Sequence, residues 1–376
     1  MRGSTMRQLS MLSAVTPDEL VPTLHPIRRV RPMVDQALES LAPTFEAMYA
    51  EGGRPSIPPE HLLKGCLLMA LYSIRSERQF CERLQYDLLF KWFLGLNLND
   101  AAFDHSSFAK NRRRLLDHAV SRAFFEAVLV QARQQHLLSN DHFTLDGTLL
   151  ESWASLKSFQ RKPNLGGQRK PKRGRPGGGP PAGVGGGRNP EVNFREERRS
   201  NQTHYSATDP EARLARKGHG REAKLCLAGH VLMENRSGLV VDVELNSPSG
   251  NAEREAGLKM LRRYRKGRRR LTLGGDKGYD TRDFVAGCRE LRVTPHVAQN
   301  QSGRRSAIDG RTVGQLGYLA SQRLRKRVEE IFGWWKTVAG GRKLRYVGVR
   351  RNQLWAELSS AAYNLVRMAN LCPVPA

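Results

Sequence analysis

Two acids in this sequence occupy similar places. Asp276 follows the run Leu271-Thr-Leu-Gly-Gly275, and Asp146 follows His142 to Leu145 and precedes Gly147. A run of this kind that stops at an acid and a glycine reads as a strand with a carboxylate at its C-terminal end, a usual place for chemistry in α/β folds. Gly274 and Gly275 let the backbone turn and leave Asp276 uncrowded. Taken singly, such an acid is better explained as a turn former. A third acid, Glu329, lies in a stretch of helical periodicity, 318–336, with Val328, Ile331, Phe332 and Trp335 on its apolar side. Arg325, Glu329 and Lys336 come at spacings of four and seven, so one helix face shows Arg, Glu and Lys. By spacing alone that face is a salt-bridged helix surface, and Glu330 is the alternative acid.

Together the three acids could do one definite kind of chemistry. Three carboxylates at one point cannot all ionise without a counter-charge. Mg²⁺, with Mn²⁺ able to substitute, supplies it through carboxylate and phosphate oxygens. Two such ions about 4 Å apart activate a nucleophile and stabilise the leaving oxygen of a phosphodiester.

The elements that must position these acids can be read in chain order from residue 141. A strand ending in Asp146 comes first, then an insertion and a hairpin, Lys224 to Met233 and Leu239 to Leu245, across the turn Asn235–Gly238. A helix follows over Asn251 to Tyr264, then the strand ending at Asp276, a helix over Asp280 to Leu291 and a strand over Val293 to Ala298. Residues 299–317 read as loop, and the helix bearing Glu329 comes next. This is the element order of a ribonuclease-H-like fold, in which the first and fourth strands lie side by side.

Ahead of this segment the chain reads as helical. Pro58-Pro-Glu60 opens a buried helix to Ser73, with further helices over Ser76–Tyr86, Leu88–Leu94, a basic one ending at Leu116, and Ser121–Leu138. Lys110, Arg112, Arg113 and Arg114 are expected on the exposed face of the basic helix. Short helices ending in a basic one suggest a helix-turn-helix-like module that takes DNA phosphates; a solvated face on an ordinary bundle is the plain alternative. The chain thus reads as α+β or α/β. A helical DNA-binding domain spans 1–138 and a mixed-sheet catalytic domain 139–350, with a flexible basic insertion at 157–203. A C-terminal helix within 351–376 packs on the catalytic domain. The insertion is placed by composition: 161–190 holds ten Gly and six Pro and almost no large apolar side chain.

Charge narrows the partners. With 376 residues, 62 Lys and Arg against 36 acids give a net charge of +26, which a compact chain tolerates best beside a polyanion. Residues 161–175, 262–270 and 323–327 are the basic stretches expected to meet it. No apolar run is long enough for a membrane span, and Met1 to Ser10 lacks a signal core. The five scattered cysteines read as reduced thiols. A cytoplasmic protein associated with nucleic acid is expected.

Asp146-Gly-Thr148, Gly275-Asp-Lys-Gly-Tyr279 and Arg325-x-x-x-Glu329-x₆-Lys336 resemble the motifs of DDE transposases, specifically bacterial insertion-sequence transposases of the IS-five type. Pro58 to Arg114 is similar to that family's N-terminal domain, and Thr208–Arg213 to a stretch found there too. The resemblance covers roughly residues 55–370. It implies that Asp146, Asp276 and Glu329 bind metal and catalyse, and that Lys277, Arg325 and Lys336 contact DNA. The family's tyrosine three positions before the arginine is replaced here by Gln322, with Tyr318 nearby. The implied activity is binding of terminal inverted repeats, hydrolysis of the strand at the element's end, and joining of the freed 3′-OH to target DNA, by at least a dimer on double-stranded DNA. A non-catalytic DNA-binding regulator and another ribonuclease-H-like nuclease are the alternatives. Trp153, Trp334 and Trp335 are softer candidates for stacking on unpaired bases, and Asp209 for assisting the site.

Overall fold

The computed structural model describes residues 15–49, 56–117, 119–163, 191–194, 197–218, 220–265, 267, 269–303 and 305–372. Eight helices come first: α1 Pro17–Leu20, α2 Ile27–Glu39, α3 Ala42–Ala47, α4 Pro59–Leu71, α5 Glu77–Tyr86, α6 Leu88–Leu94, α7 His105–Asp117 and α8 Val120–Gln134. Their starts are written in the sequence. Thr16 and Glu19 form a capping box ahead of α1. Ser76 and Asp87 accept backbone N–H groups at the starts of α5 and α6. Pro43, which breaks the helical pattern of 33–49, falls in the first turn of α3, where a missing N–H costs nothing. Leu62, Leu63, Leu67 and Leu68 of α4 are fully buried.

The strands are β1 His142–Glu151, β2 Phe159–Arg161, β3 Glu191–Phe194, β4 Glu197–Ser200, β5 His204–Ser206, β6 Arg213–Ala215, β7 Lys224–Glu234, β8 Val240–Asn246, β9 Leu271–Gly275 and β10 Val293–Val297. The main sheet runs β10-β9-β1-β7-β6, with β8 also on β7. β1 pairs parallel to β9 and antiparallel to β7, so the first and fourth major strands are neighbours. Helices α9 Ala252–Tyr264 and α10 Arg282–Glu290 alternate with the late strands. This is the mixed-sheet, ribonuclease-H-like order the sequence implies.

Three expectations change. Of the insertion at 157–203, β2 pairs with β5 and β3 with β4, while 164–190 lies outside the described residues. The loop expected at 299–317 contains α11, Gly310–Val313. The single helix expected over 318–336 is broken into α12 Leu316–Leu324, a 3₁₀ turn Arg325–Val328 and α13 Glu329–Lys336. Periodicity does not register such a break, because a tighter turn shifts the phase by less than the width of an apolar stripe.

The last helix, α14 Val349–Leu371, packs on β8 and also on α2, α4 and α8. One continuous hydrophobic core therefore joins the helical region to the sheet. Among the described residues no helix is long and apolar enough to cross a membrane.

Candidate active site

β9 flanks β1 only as far as Thr144, which pairs with Gly274, whereas β7 accompanies β1 all the way to Glu151. Asp146 is therefore not at a strand end, as expected, but mid-strand: β7 keeps supplying hydrogen bonds past Gly147. It stands two residues beyond the last pairing with β9, and Asp276 is the residue that follows β9. The step in the sheet edge brings the two acids together.

Their electrostatics carry the signature of crowding. Burial pushes the Asp146 carboxyl up to about 6; the Gly147 amide and Arg325 oppose this, and the charges of Asp276 and Glu329 reinforce it. One oxygen of each aspartate rests on a nearby amide: Asp146 Oδ1 accepts Gly147 N at 2.8 Å, and Asp276 Oδ1 accepts Gly278 N at 2.7 Å.

The third motif reaches the same place through the 3₁₀ turn. Gly274 makes this possible: a Cβ there would stand 3.3 Å from Thr144 Oγ1 and 3.4 Å from Arg325 Cβ. The space at Gly274 thus serves Arg325, and that at Gly275 the Tyr279 ring, so neither clears room for the carboxylate as expected. The Arg325 Nε is buried without a hydrogen-bond partner among the described residues. Lys336 donates to Thr148 Oγ1 on β1, and burial together with Lys217 pulls its ammonium down. Lys277 is exposed beside Asp276. Glu329 is exposed, while Glu330 is held by Arg367 at 2.9 Å. Gln322 and Tyr318 both anchor α12 to β10, donating to the carbonyls of His296 and Val297 at 2.7 and 2.9 Å.

On α7, Lys110, Arg113 and Arg114 are exposed. Arg112 is not part of that face: it pairs with Glu77 at 2.9 Å and lies over the Tyr346 ring. A helix turns one of any four such residues inward, and the acid that selected Arg112 is on another helix. Among the other basic stretches, Arg263 pairs with Asp242 and Glu244, and Arg327 donates to the carbonyls of Asn235 and Arg236. Trp335 is fully buried and Trp334 packs on Tyr363, leaving Trp153, 53% exposed, as the tryptophan open to a ligand. Asp209 is buried at a turn.

Two acids escaped sequence reasoning. Asp280 is buried and accepts the amides of Asn300 and Ala307 at 2.6 and 2.8 Å, holding the loop before α11. Glu253, in the first turn of α9, is pushed up to about 7 by burial, then by the charges of Asp276 and Asp146. Only its place in a helix start was visible in the sequence, which predicts an ordinary capping charge.

Among the described residues no three His, Cys, Asp or Glu side chains are already gathered to hold a metal ion. The donors nevertheless fit a hard divalent cation. They are oxygens, and Asp146, Asp276 and Glu329 form no ion pair among the described residues of a chain with net charge +26.

A family described as Transposase domain (DUF772) matches residues 15–114, and one described as Transposase DDE domain matches residues 200–365. Asp146 lies between the two matches, so its place beside Asp276 comes from the β1–β9 pairing. No curated protein matches the sequence. Among solved structures, a piggyBac transposase synaptic complex with hairpin DNA matches with TM-score 0.40 and 9% identity, over 94% of this chain and 77% of that one. The Mos1 strand transfer complex matches with TM-score 0.20 and 12% identity, over 84% and 79%. Likenesses at these scores are too distant to bear on function.

Proposed function

This chain belongs to the DDE transposases, and we propose that it binds the terminal inverted repeats of an insertion sequence of the IS-five type, cuts at the element's end and joins the freed 3′-OH to target DNA. Asp146, Asp276 and Glu329 are the carboxylates that would hold Mg²⁺ or Mn²⁺. Bound divalent cations supply the positive charge that activates the attacking oxygen and stabilises the departing one. The chain's own residues do the rest. Arg325 lies near Asp146, Lys277 follows Asp276, and Lys336 donates to Thr148 on the same strand as Asp146; these three cations would take the phosphates next to the scissile bond, Lys336 exchanging Thr148 for a phosphate oxygen. Lys110, Arg113 and Arg114 meet the backbone of the repeat, at a distance from the chemistry. The same carboxylates serve both steps, first with water and then with the 3′-OH as nucleophile. The protein acts as at least a dimer on DNA, since two ends must be paired.

What supports this reading is the parallel pairing of β1 with β9, by which Asp146 and Asp276 come to neighbouring strands, in a chain whose residues 200–365 match a transposase DDE domain. The test is a metal-dependent cleavage assay on oligonucleotides containing the element's end, followed by transfer of a precut end into a plasmid. Asp276→Ala should bind the end and cut nothing. Robust cleavage by that variant in Mg²⁺ would overturn the assignment, and cutting without strand transfer by the unaltered protein would make it a nuclease of the same fold.

A further inference from the structure

We propose that Glu253 is a fourth carboxylate of the cation site, a metal-binding residue in addition to Asp146, Asp276 and Glu329; this rests on the proposed function. The first turn of α9 lies between the two backbone segments that carry the aspartates. On one side Glu253 faces Gly147, the residue after Asp146, where a Cβ would stand 2.5 Å from Glu253 Oε1. On the other side Arg254 donates to the carbonyl of Gly278 at 3.3 Å, which fixes this turn of helix against the 3₁₀ turn that follows Asp276.

The space behind Gly147 is polar and incomplete. His230 pairs across the sheet with Gly147 and shares its face. His230 is 2% exposed, and its Nδ1 has no hydrogen-bond partner among the described residues. That nitrogen stands 2.9 Å from where a Gly147 Cβ would be. Tyr279 is 0% exposed, and its hydroxyl is turned to the Glu253 carboxylate, which it orients without neutralising. Unsatisfied buried polar groups are costly and rare, and His230 Nδ1 is one that lies beside this carboxylate.

A first-turn acid that merely complements the helix dipole does not need burial. Glu255, in the same turn, meets that need from solvent. Glu253 is instead turned inward, and no Lys or Arg forms an ion pair with it among the described residues. With 62 Lys and Arg in the chain, a half-buried acid next to two others and without a cation marks a place for a cation from outside.

The test measures Mn²⁺ binding to the full-length, metal-free protein without DNA, by electron paramagnetic resonance and by the metal-induced rise in melting temperature. Glu253→Gln should weaken Mn²⁺ binding at least tenfold and reduce the melting shift, while Glu255→Gln matches the unaltered protein. Glu253→Asp, which keeps the charge on a shorter arm, should bind with intermediate affinity. Unchanged or tighter Mn²⁺ binding by Glu253→Gln, with binding lost in Asp146→Asn and Asp276→Asn, overturns this inference and leaves the proposed function standing. Affinity unmoved in all of these variants sinks both. If Glu253→Gln does not fold, unchanged affinity in Glu253→Asp overturns the inference.

Discussion

Arg112 Nη1 stands 2.9 Å from Glu77 Oε1, and Arg345 Nη2 stands 2.5 Å from Glu77 Oε2, so a single acid on α5 ties α7 to the segment before α14. All three side chains are less than one-fifth exposed. Arg112→Ala should therefore act on stability: breaking a nearly buried pair costs about 3 kcal/mol, read as a lowered melting temperature. The triple variant Lys110→Ala, Arg113→Ala, Arg114→Ala should melt almost normally but bind end DNA more weakly. The slope of log affinity against log salt should flatten by about 0.9 for each phosphate that is no longer neutralised. Fluorescence anisotropy at several salt concentrations separates the two behaviours. A normal salt slope in the triple variant would remove α7 from the interface.

The neighbouring acids Glu329 and Glu330 should behave in opposite ways. Glu330 is occupied by Arg367 and Arg327, and its side chain is 50% exposed. Glu330→Gln should cost no more than about 1 kcal/mol of stability and leave cleavage intact. Glu329→Gln should keep the fold and DNA binding and lower the cleavage rate at least a thousandfold, on the order of 4 kcal/mol in barrier. Rates measured under single-turnover conditions check this, and the reverse pattern would reassign the third acid to Glu330.

The Asp146 carboxyl also makes stability depend on pH. Its value is raised from 3.8 to about 6 in the metal-free fold, so the folded state holds this proton more tightly than the unfolded chain does. The associated stability is fully present below pH 3.8 and is lost as pH rises through about 6. Its full size is on the order of 3 kcal/mol. Between pH 3.8 and about 6 the metal-free protein should therefore lose melting temperature relative to Asp146→Asn, which has no such proton to give up. Adding Mg²⁺ at the upper end of that range should restore stability to the unaltered protein and not to the variant. Parallel melting curves for the two proteins across this pH range would disprove the coupling.

Much of this was legible in residue order. β7, β8, β9 and β10 announce themselves by largely apolar runs bounded by turn residues, and α5 and α6 by Ser76 and Asp87 at their caps. The third motif was legible as a pattern but not as a shape, because a 3₁₀ turn at Arg325–Val328 leaves the apolar spacing almost unchanged. Arg112 and Glu253 were illegible for a common reason. What decides each is a residue on another element, Glu77 for the one and Gly147 for the other, and local spacing carries no information about such pairs.

Gly274 offers a test of how Arg325 reaches the acids. Its backbone is extended strand, so valine suits it locally, and the difficulty is space alone. A Cβ at 274 would lie 3.4 Å from Arg325 Cβ and 3.3 Å from Thr144 Oγ1, and the two further methyl groups of valine have to displace one of them. Overpacking of this kind costs about 1–3 kcal/mol, which the folded chain should survive. The movable partner is Arg325, which sits on a turn, whereas Thr144 is fixed in β1 between two strands. Gly274→Val should therefore lower cleavage at least tenfold with little loss of end binding, and Arg325→Ala should do the same. If both act by removing one guanidinium from the DNA, the double variant should be no slower than the worse single one. Multiplied defects in that cycle would show that Gly274 supports the site by a route independent of Arg325.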